Sequence, residues 1–395
     1  MTLTKHFKVL YGFACAERHA DIGDCLRCLV SDWNASHPNL QVQLDLVELD
    51  TLRGGKDHNL LCEQLQDAIF AQIDSGEFDL VLMAPPCNTF SRAVFSRHPG
   101  PQPIRDHTWL LGFPNLGSVE RARAEEGNSL AWFSLECLRR ALRANSLHNG
   151  IPTQGWLEFP EDLGSSDKGT PASILQFPEA CAFQGTRAIR GAIYQCEWAD
   201  THYSKPTGIL TTVAPFFQHD LFFAGWPSFE ELPGGHQEAT IRTYVGPLPR
   251  RCKHGGHQGL IGRNEDGIFK TAPTGAYPPS LSKAFASLFW ADFVVQALGS
   301  TSQSRSEKAP PTPPAKDPAN SWIGQNVAPS AFHQPLLDWL SGYAGTLNKH
   351  SQGGPDSDHI GNCGRSPRIP YIGSSIDRVV HHAWLGKFTL GRVDW

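Results

Sequence analysis

Phe78-Asp79-Leu80-Val81-Leu82-Met83-Ala84-Pro85-Pro86-Cys87-Asn88-Thr89-Phe90-Ser91-Arg92 is the stretch that decides the fold. An apolar run of strand length ends in two prolines, a cysteine and a polar loop. Neither proline can continue a central ladder, so the strand stops there and the chain turns rigidly. Open α/β sheets place their ligand crevice outside the carboxyl ends of the strands, and Cys87 stands at such an end. Two readings fit the thiol: a nucleophile held on a stiff loop, or a small apolar side chain closing a strand end.

Working outward, strands near residues 7–12, 43–49, 78–84 and 155–158 alternate with helical stretches near 20–33, 58–74 and 120–144. That order predicts an α/β fold, a doubly wound and mostly parallel sheet with helices on both faces. The second strand, Leu44–Asp50, ends in Glu48-x-Asp50. An acid at that place commonly accepts ribose hydroxyls in dinucleotide-type folds, which assigns Glu48 to the role with Asp50 behind it. A solvated strand-end acid is the alternative. The fourth strand ends in Glu158-Phe159-Pro160 and brings a carboxylate to the same kind of position as Cys87.

Two later blocks complete the pattern. Tyr194-Gln195-Cys196-Glu197-Trp198 precedes Ser204-Lys205-Pro206-Thr207-Gly208, and Thr274-Gly275-Ala276-Tyr277-Pro278-Pro279 opens an apolar helix-like run to about Val295. The ordered set Pro-Pro-Cys, Glu-x-Pro, Gln with Lys-Pro-Thr, and Gly-x-Tyr-Pro-Pro resembles the DNA cytosine-5 methyltransferase family. The likeness is closest to a divergent branch with Pro-Pro-Cys-x-Thr-Phe-Ser-Arg-Ala, and it covers roughly residues 6 to 296.

The resemblance implies a Rossmann-like S-adenosylmethionine-dependent methyltransferase sheet with a small irregular insertion domain. It implies S-adenosylmethionine as cofactor and DNA as substrate, with the target base flipped out of the duplex. Cytosine C5 is too weak a nucleophile to accept a methyl group unaided. A thiolate adding at C6 makes C5 enamine-like, which is covalent catalysis. A carboxyl group near N3 stabilises the charge that builds as sulfur adds. Cys87 and Glu158 take those two roles by resemblance. The cofactor would meet Phe13, Ala14 and Cys15 in the first loop, then Glu48, Asp50, Asp67, Pro85 and Tyr277. Nucleic acid would meet Ser91, Arg92, Gln195 and Lys205.

Three positions depart from the family's pattern. The first loop carries Ala14, Cys15 and Ala16 where glycines are usual, and positions needing φ > 0 are strained without glycine. Phe159 replaces an Asn after the motif Glu, and Cys196, Glu197 and Trp198 replace the arginines expected after Gln195. These departures leave open a relative that binds nucleic acid without turnover. RNA as the substrate is a further alternative.

The chain has 395 residues, 40% hydrophobic and 18% charged, enough for a full α/β core with an appended small domain. It opens Met-Thr-Leu-Thr-Lys-His, so no signal peptide is expected. No uninterrupted apolar run approaches the ~18–20 residues of a membrane span. Ten cysteines read as reduced thiols rather than a disulfide framework. The expectation is an intracellular monomer without membrane association, nuclear if eukaryotic and otherwise cytoplasmic. A net charge of −5 gives no global pull toward phosphates, so contact with nucleic acid needs a local patch.

One such patch runs from Arg242 to Lys270, with Arg250, Arg251 and Lys253 clustered at its centre. It falls where the resembled family inserts its target-recognition region, and it suits phosphate contact more than base readout. A solvated basic loop is the alternative. Within it, Cys252-x-His254-x-x-His257 has spacing that can share zinc, with Cys196 as the fourth candidate ligand. Phosphate-contacting or exposed histidines without metal are the preferred expectation.

The expected organisation is a catalytic core over residues 1–212, an insertion over 213–270 and a returning helix over 271–298. A Ser/Pro-rich linker over 299–330 follows, too poor in apolar residues to build a core. The tail, 331–395, lies beyond the resemblance.

Overall fold

A computed structural model of the chain describes residues 2–96, 100–199, 201–213, 222–233, 240–254 and 256–298. The expected linker and tail lie outside the described residues. The chain divides into two units, Met1–Trp290 and Ala291–Trp395. Of the second, only residues 291–298 are described, and within them Gln296 donates to Asp292 at 2.7 Å.

The first unit is built on a seven-stranded sheet. Its strands are β1 (Leu3–Gly12), β2 (Leu40–Leu49), β3 (Leu80–Met83), β4 (Gln154–Pro160), β5 (Ile189–Tyr194), β6 (Pro206–Thr211) and β7 (Phe223–Ala224). They lie in the order β2-β1-β3-β4-β6-β5-β7. The first four run parallel, as the sequence predicts, and β6 lies antiparallel between β4 and β5. All of β3 is buried, as a central parallel strand covered on both faces must be.

Helices α1 (Ile22–Ser36), α2 (Thr51–Gly54), α3 (Glu63–Asp74), α4 (Ser118–Ala141), α5 (Pro178–Cys181) and α6 (Pro279–Phe293) connect or flank the strands. Asp21 starts α1 by accepting the Asp24 amide at 2.8 Å, which satisfies one orphan donor of the first turn. Its buried residues Ile22, Leu26, Leu29, Val30 and Trp33 recur at helical spacing and face the sheet. The expected helix over 58–74 is shorter, because Asp50 caps the separate turn α2 and the chain re-enters a helix only at Glu63.

Period-two alternation sorts the strand residues between the two helical layers. Leu10, Val81, Met83, Leu157 and Phe159 share one core with residues of α3 and α4, where Phe70 meets Phe133 at 5.4 Å. Phe7 and Trp156 point to the opposite face. There Trp290 of α6 packs on Phe7 at 6.0 Å and on Trp33 of α1 at 5.7 Å, and Trp156 meets Phe285 and Phe289 at 4.9 Å each. The helical stretch Ala272–Leu298 is long and apolar enough to cross a membrane by length and composition, which the sequence reading did not foresee. Its Phe285 and Phe289 are core residues of this layer instead.

The expected insertion holds a two-stranded antiparallel hairpin, β8 (Ser228–Pro233) and β9 (Thr240–Gly246). Its boundary differs from the expectation at residue 213, because β7 joins the main sheet through β5. The hairpin is tied to the core by the Tyr244 hydroxyl, which donates to Glu161 at 2.9 Å. Glu161 in turn forms a fully buried ion pair with Arg190 of β5.

Candidate active site

Register fixes the frame of the site. Gly12 pairs with Met83, and Met83 with Leu157, so the residues that follow, Phe13, Ala84 and Glu158, emerge along one carboxyl edge. The order β2-β1-β3 makes the chain leave β1 toward opposite sides, which puts the switch-point crevice between β1 and β3. Gly12 packs closely there: a Cβ would stand 2.6 Å from Met83 Sδ, and the methionine end would have to shift.

The Pro-Pro-Cys loop is braced from below. Pro85 is buried and Pro86 exposed. After Cys87 a single 3₁₀ turn, Asn88–Phe90, closes with the Phe90 amide donating to the Cys87 carbonyl at 3.0 Å. Phe90 is wedged against Phe159 and Phe177, and the Arg105 guanidinium lies 4.1 Å over its ring. Arg105 is itself fully buried and donates to the Ala124 and Leu110 carbonyls and to Asn128. That burial lowers its pKa to about 10. Sequence reasoning missed Arg105, since an arginine in a loop reads as a surface residue.

Cys87 is half-buried, and desolvation pushes its thiol above the ordinary value. The Lys205 ammonium opposes that rise and the Glu158 carboxylate adds to it, so all three groups share one electrostatic neighbourhood. Glu158 is 7% exposed, and its Oε1 is buried without a hydrogen-bond partner. By alternation it lies on the α6 face with Trp156. Tyr277 is turned to Glu158 there, and burial and that carboxylate raise the phenol far above its usual range. Tyr11, near the end of β1, feels both Cys15 and Glu158. It belongs to the cluster, and its period-two placement at a strand end was a signal that the sequence offered. Lys205 precedes β6 with φ 34°, and its Nζ donates to the Thr274 carbonyl at 2.7 Å.

The first loop takes the shape expected of glycines without having them. Phe13 (φ 64°) and Cys15 (φ 59°) are both left-handed, each at a cost of about 1–3 kcal/mol. The loop is held by the Phe13 amide on the Leu49 carbonyl (2.8 Å) and the Cys15 amide on Asp50 (3.0 Å). Arg53 crosses beneath it, donating to the Cys15 carbonyl at 2.8 Å and pairing with Asp21 at 2.6 Å.

The expected cofactor residues are only partly brought together. Ala14 lies buried in the same loop. Glu48 reaches the crevice, but its Oε2 pairs with Arg27 at 2.6 Å and Arg53 at 3.1 Å. Its Oε1 is buried and unpartnered, pressed so close to Gly23 that a Cβ there would stand 2.3 Å away. Asp50 is a brace, capping α2 and holding Cys15. Asp67 is exposed on α3 and is joined to none of the other site residues. Of the two Glu48 oxygens, one is therefore held by arginines and the other is closed in against Gly23.

Several side chains expected to meet nucleic acid have partners within the chain. Gln195 is fully buried, its amide donating to Thr207 at 3.1 Å. Arg92 is bound to the Gly164 and Ser165 carbonyls and braces the chain after β4. Ser91 caps the turn Arg92–Phe95. Arg250, Arg251 and Lys253 are exposed as expected.

The residues considered for zinc do come together. Donor atoms of Cys196, His254 and His257 all lie within 4.8 Å of one another. Cys252 Sγ is 3.1 Å from His257 Nε2 and neighbours the Cys196 thiol. His254 is exposed, as expected, and His257 is half-buried beside the two cysteines.

Compared with protein-family models, with curated proteins and with solved structures, the chain matches none.

Proposed function

We propose that the chain transfers a methyl group from S-adenosylmethionine to C5 of cytosine in DNA, through a covalent bond between Cys87 and C6 of a flipped-out base. One observation carries this reading. A thiol, a buried carboxylate with an unpartnered oxygen, and an ammonium group converge at one sheet edge beside the switch point.

Each group has a task. Cys87 gives up its proton to solvent and its sulfur bonds to C6, while the C5–C6 π electrons move toward C5. Lys205 favours the thiolate by charge and would polarise a carbonyl of the bound base. Glu158 meets the N3 side of the ring and steadies the charge that arrives there, and the Tyr277 hydroxyl fixes its rotamer. S-adenosylmethionine, when bound, supplies an electrophilic methyl group. Once C5 carries it, loss of the C5 proton restores the double bond and expels the Cys87 sulfur. Phe13, Ala14, Cys15 and Glu48 would line the cofactor crevice, with Pro85 at its β3 wall.

DNA containing 5-fluorocytosine tests the reading, because the missing C5 proton stops the sequence before sulfur leaves. A cofactor-dependent covalent adduct is expected with the natural chain and none with Cys87→Ser. An adduct of equal yield in both would overturn the assignment. Single-stranded RNA as competitor in the same assay distinguishes the two nucleic acids.

A second reading is supported by Glu48, whose Oε2 is already held by two arginines. A scaffold that binds nucleic acid without turnover would tolerate that. Calorimetry with S-adenosylhomocysteine separates the two: micromolar binding supports the enzyme, and no heat supports the scaffold.

A further inference from the structure

Among its described residues the insertion has no core of its own. Its contact with the sheet rests on a small apolar cluster of Ala192, Tyr194, Cys196 and Leu248, with Phe223, Tyr244 and Cys252 packed at its margin. The hairpin exposes Leu232, Ile241 and Val245. Small units with so little buried surface usually need a disulfide or a metal to hold one conformation. Two cysteines and two histidines stand at this spot.

We propose that Cys196, Cys252, His254 and His257 form a structural zinc site that clamps the insertion to the end of β5. The geometry is close to what the ion demands. Donors around a tetrahedral zinc, with bonds of about 2.3 Å to sulfur and ~2.0–2.1 Å to nitrogen, stand roughly 3.3–3.8 Å apart. The Cys252 Sγ to His257 Nε2 separation is 3.1 Å, and the Cys196, His254 and His257 donors fall within 4.8 Å of one another. Cys252, held to the cluster through His257, is the fourth donor. Four protein ligands leave no open coordination position, so the site is structural rather than catalytic.

The surrounding residues match that role. Cys196 sits in the buried turn Gln195–Glu197 and supplies the rigid end, while the other three ligands come from the loop after β9. Glu197 accepts the Lys253 amide through Oε1 and keeps Oε2 3.9 Å from His254 Nε2. A carboxylate beside a ligand histidine is the usual means of fixing its ring and tautomer. Binding exchanges protons for metal: one Zn²⁺ enters, both thiols lose a proton, and the complex is neutral apart from Glu197.

A consequence concerns the basic patch. Arg250, Arg251 and Lys253 alternate with or precede the ligands, so the clamp sets their position relative to the sheet edge. The metal site itself does not rest on methyl transfer and stands if that activity fails.

The test uses the full chain, purified under reducing conditions from zinc-supplemented culture and dialysed. Plasma mass spectrometry is expected to find one zinc per chain, falling to near zero in Cys252→Ser and His257→Ala and unchanged in Cys28→Ser. Replacement by Co²⁺ in the unaltered chain needs no variant. It is expected to give thiolate-to-cobalt charge-transfer absorption and the intense visible bands of a tetrahedral ion. Substoichiometric zinc together with no such cobalt spectrum would overturn the site. A Cys196–Cys252 disulfide in non-reducing peptide maps of the freshly isolated chain would overturn it equally.

Discussion

The parallel half of the sheet and the β8–β9 insertion hold their shape by different means. In the first, β3 is buried along its whole length and the working residues stand on short turns wedged by rings such as Phe90 and Phe159. In the second, a handful of apolar side chains is supplemented by polar ties: the Glu161–Arg190 pair, the Tyr244 hydroxyl and the cysteine–histidine cluster. A covered sheet can carry orphaned polar atoms such as Glu158 Oε1, because its packing is sufficient without them. A thin insertion cannot, and each polar tie there contributes a large share of the local stability.

The sharpest way to break that contrast is to remove one tie. Glu161→Ala leaves the Arg190 guanidinium buried without its partner, a change that costs about 3–5 kcal/mol. Urea unfolding followed by tryptophan fluorescence should show the loss, and Tyr244→Phe should cost less, about 1.5–3 kcal/mol, as a donor to the Glu161 carboxylate and the acceptor of the Leu248 amide are removed. Equal effects from the two variants would show that the ion pair is not the anchor.

On the sheet side the expected effect is kinetic rather than structural. Glu158→Gln should slow methyl transfer by ~10²-fold or more with little change in DNA binding or melting temperature. Weakened binding with an unchanged single-turnover rate would make Glu158 a scaffold residue.

The pH profile of thiol alkylation sharpens the same point. Burial and Glu158 raise the Cys87 thiol while Lys205 lowers it, so the thiolate fraction is small at neutral pH and grows on the alkaline side. Lys205→Met removes the lowering charge and should move the profile to higher pH. Glu158→Gln removes a raising charge and should move it to lower pH. Iodoacetamide rates, with Cys87 modification read by mass spectrometry, check both signs.

The smallest effect is expected at the insertion surface. Replacing Arg250, Arg251 and Lys253 with alanine should shallow the salt dependence of DNA binding by roughly one unit of slope per lost phosphate contact. Two unrelated duplexes should weaken alike. An unchanged slope with altered preference would mean base readout.

Much of the sheet side was legible in the sequence because its signals are local. The apolar runs, the Pro85-Pro86 stop and the Glu158 strand end each lie within a few residues. The missing glycines of the first loop also gave a correct warning, since Phe13 and Cys15 do adopt left-handed backbone. What stayed hidden depends on distant partners. Arg92 and Gln195 looked available to nucleic acid, but carbonyls at Gly164 and Ser165 and the Thr207 hydroxyl claim them. Strand β5 and the reversed β6 beside it escaped notice because β5 carries a buried Arg190 and β6 has threonines at both Thr207 and Thr211, which blurs the apolar alternation. Cys196 could be named as a partner for the Cys-x-His-x-x-His run, but only the fold could place it there.

The antiparallel β6 has a consequence for what the site edge can offer. Parallel strands all finish at that edge, so they present mainly carbonyl oxygens to whatever lies beyond. A strand laid in reverse begins there instead, and it delivers the Lys205 ammonium beside the acceptors of β4 and β5. The rim is therefore mixed in polarity. A planar heterocycle whose own edge alternates donors and acceptors would meet carbonyl oxygens and a fixed cation side by side, the first from strands that end there and the second from the strand that begins.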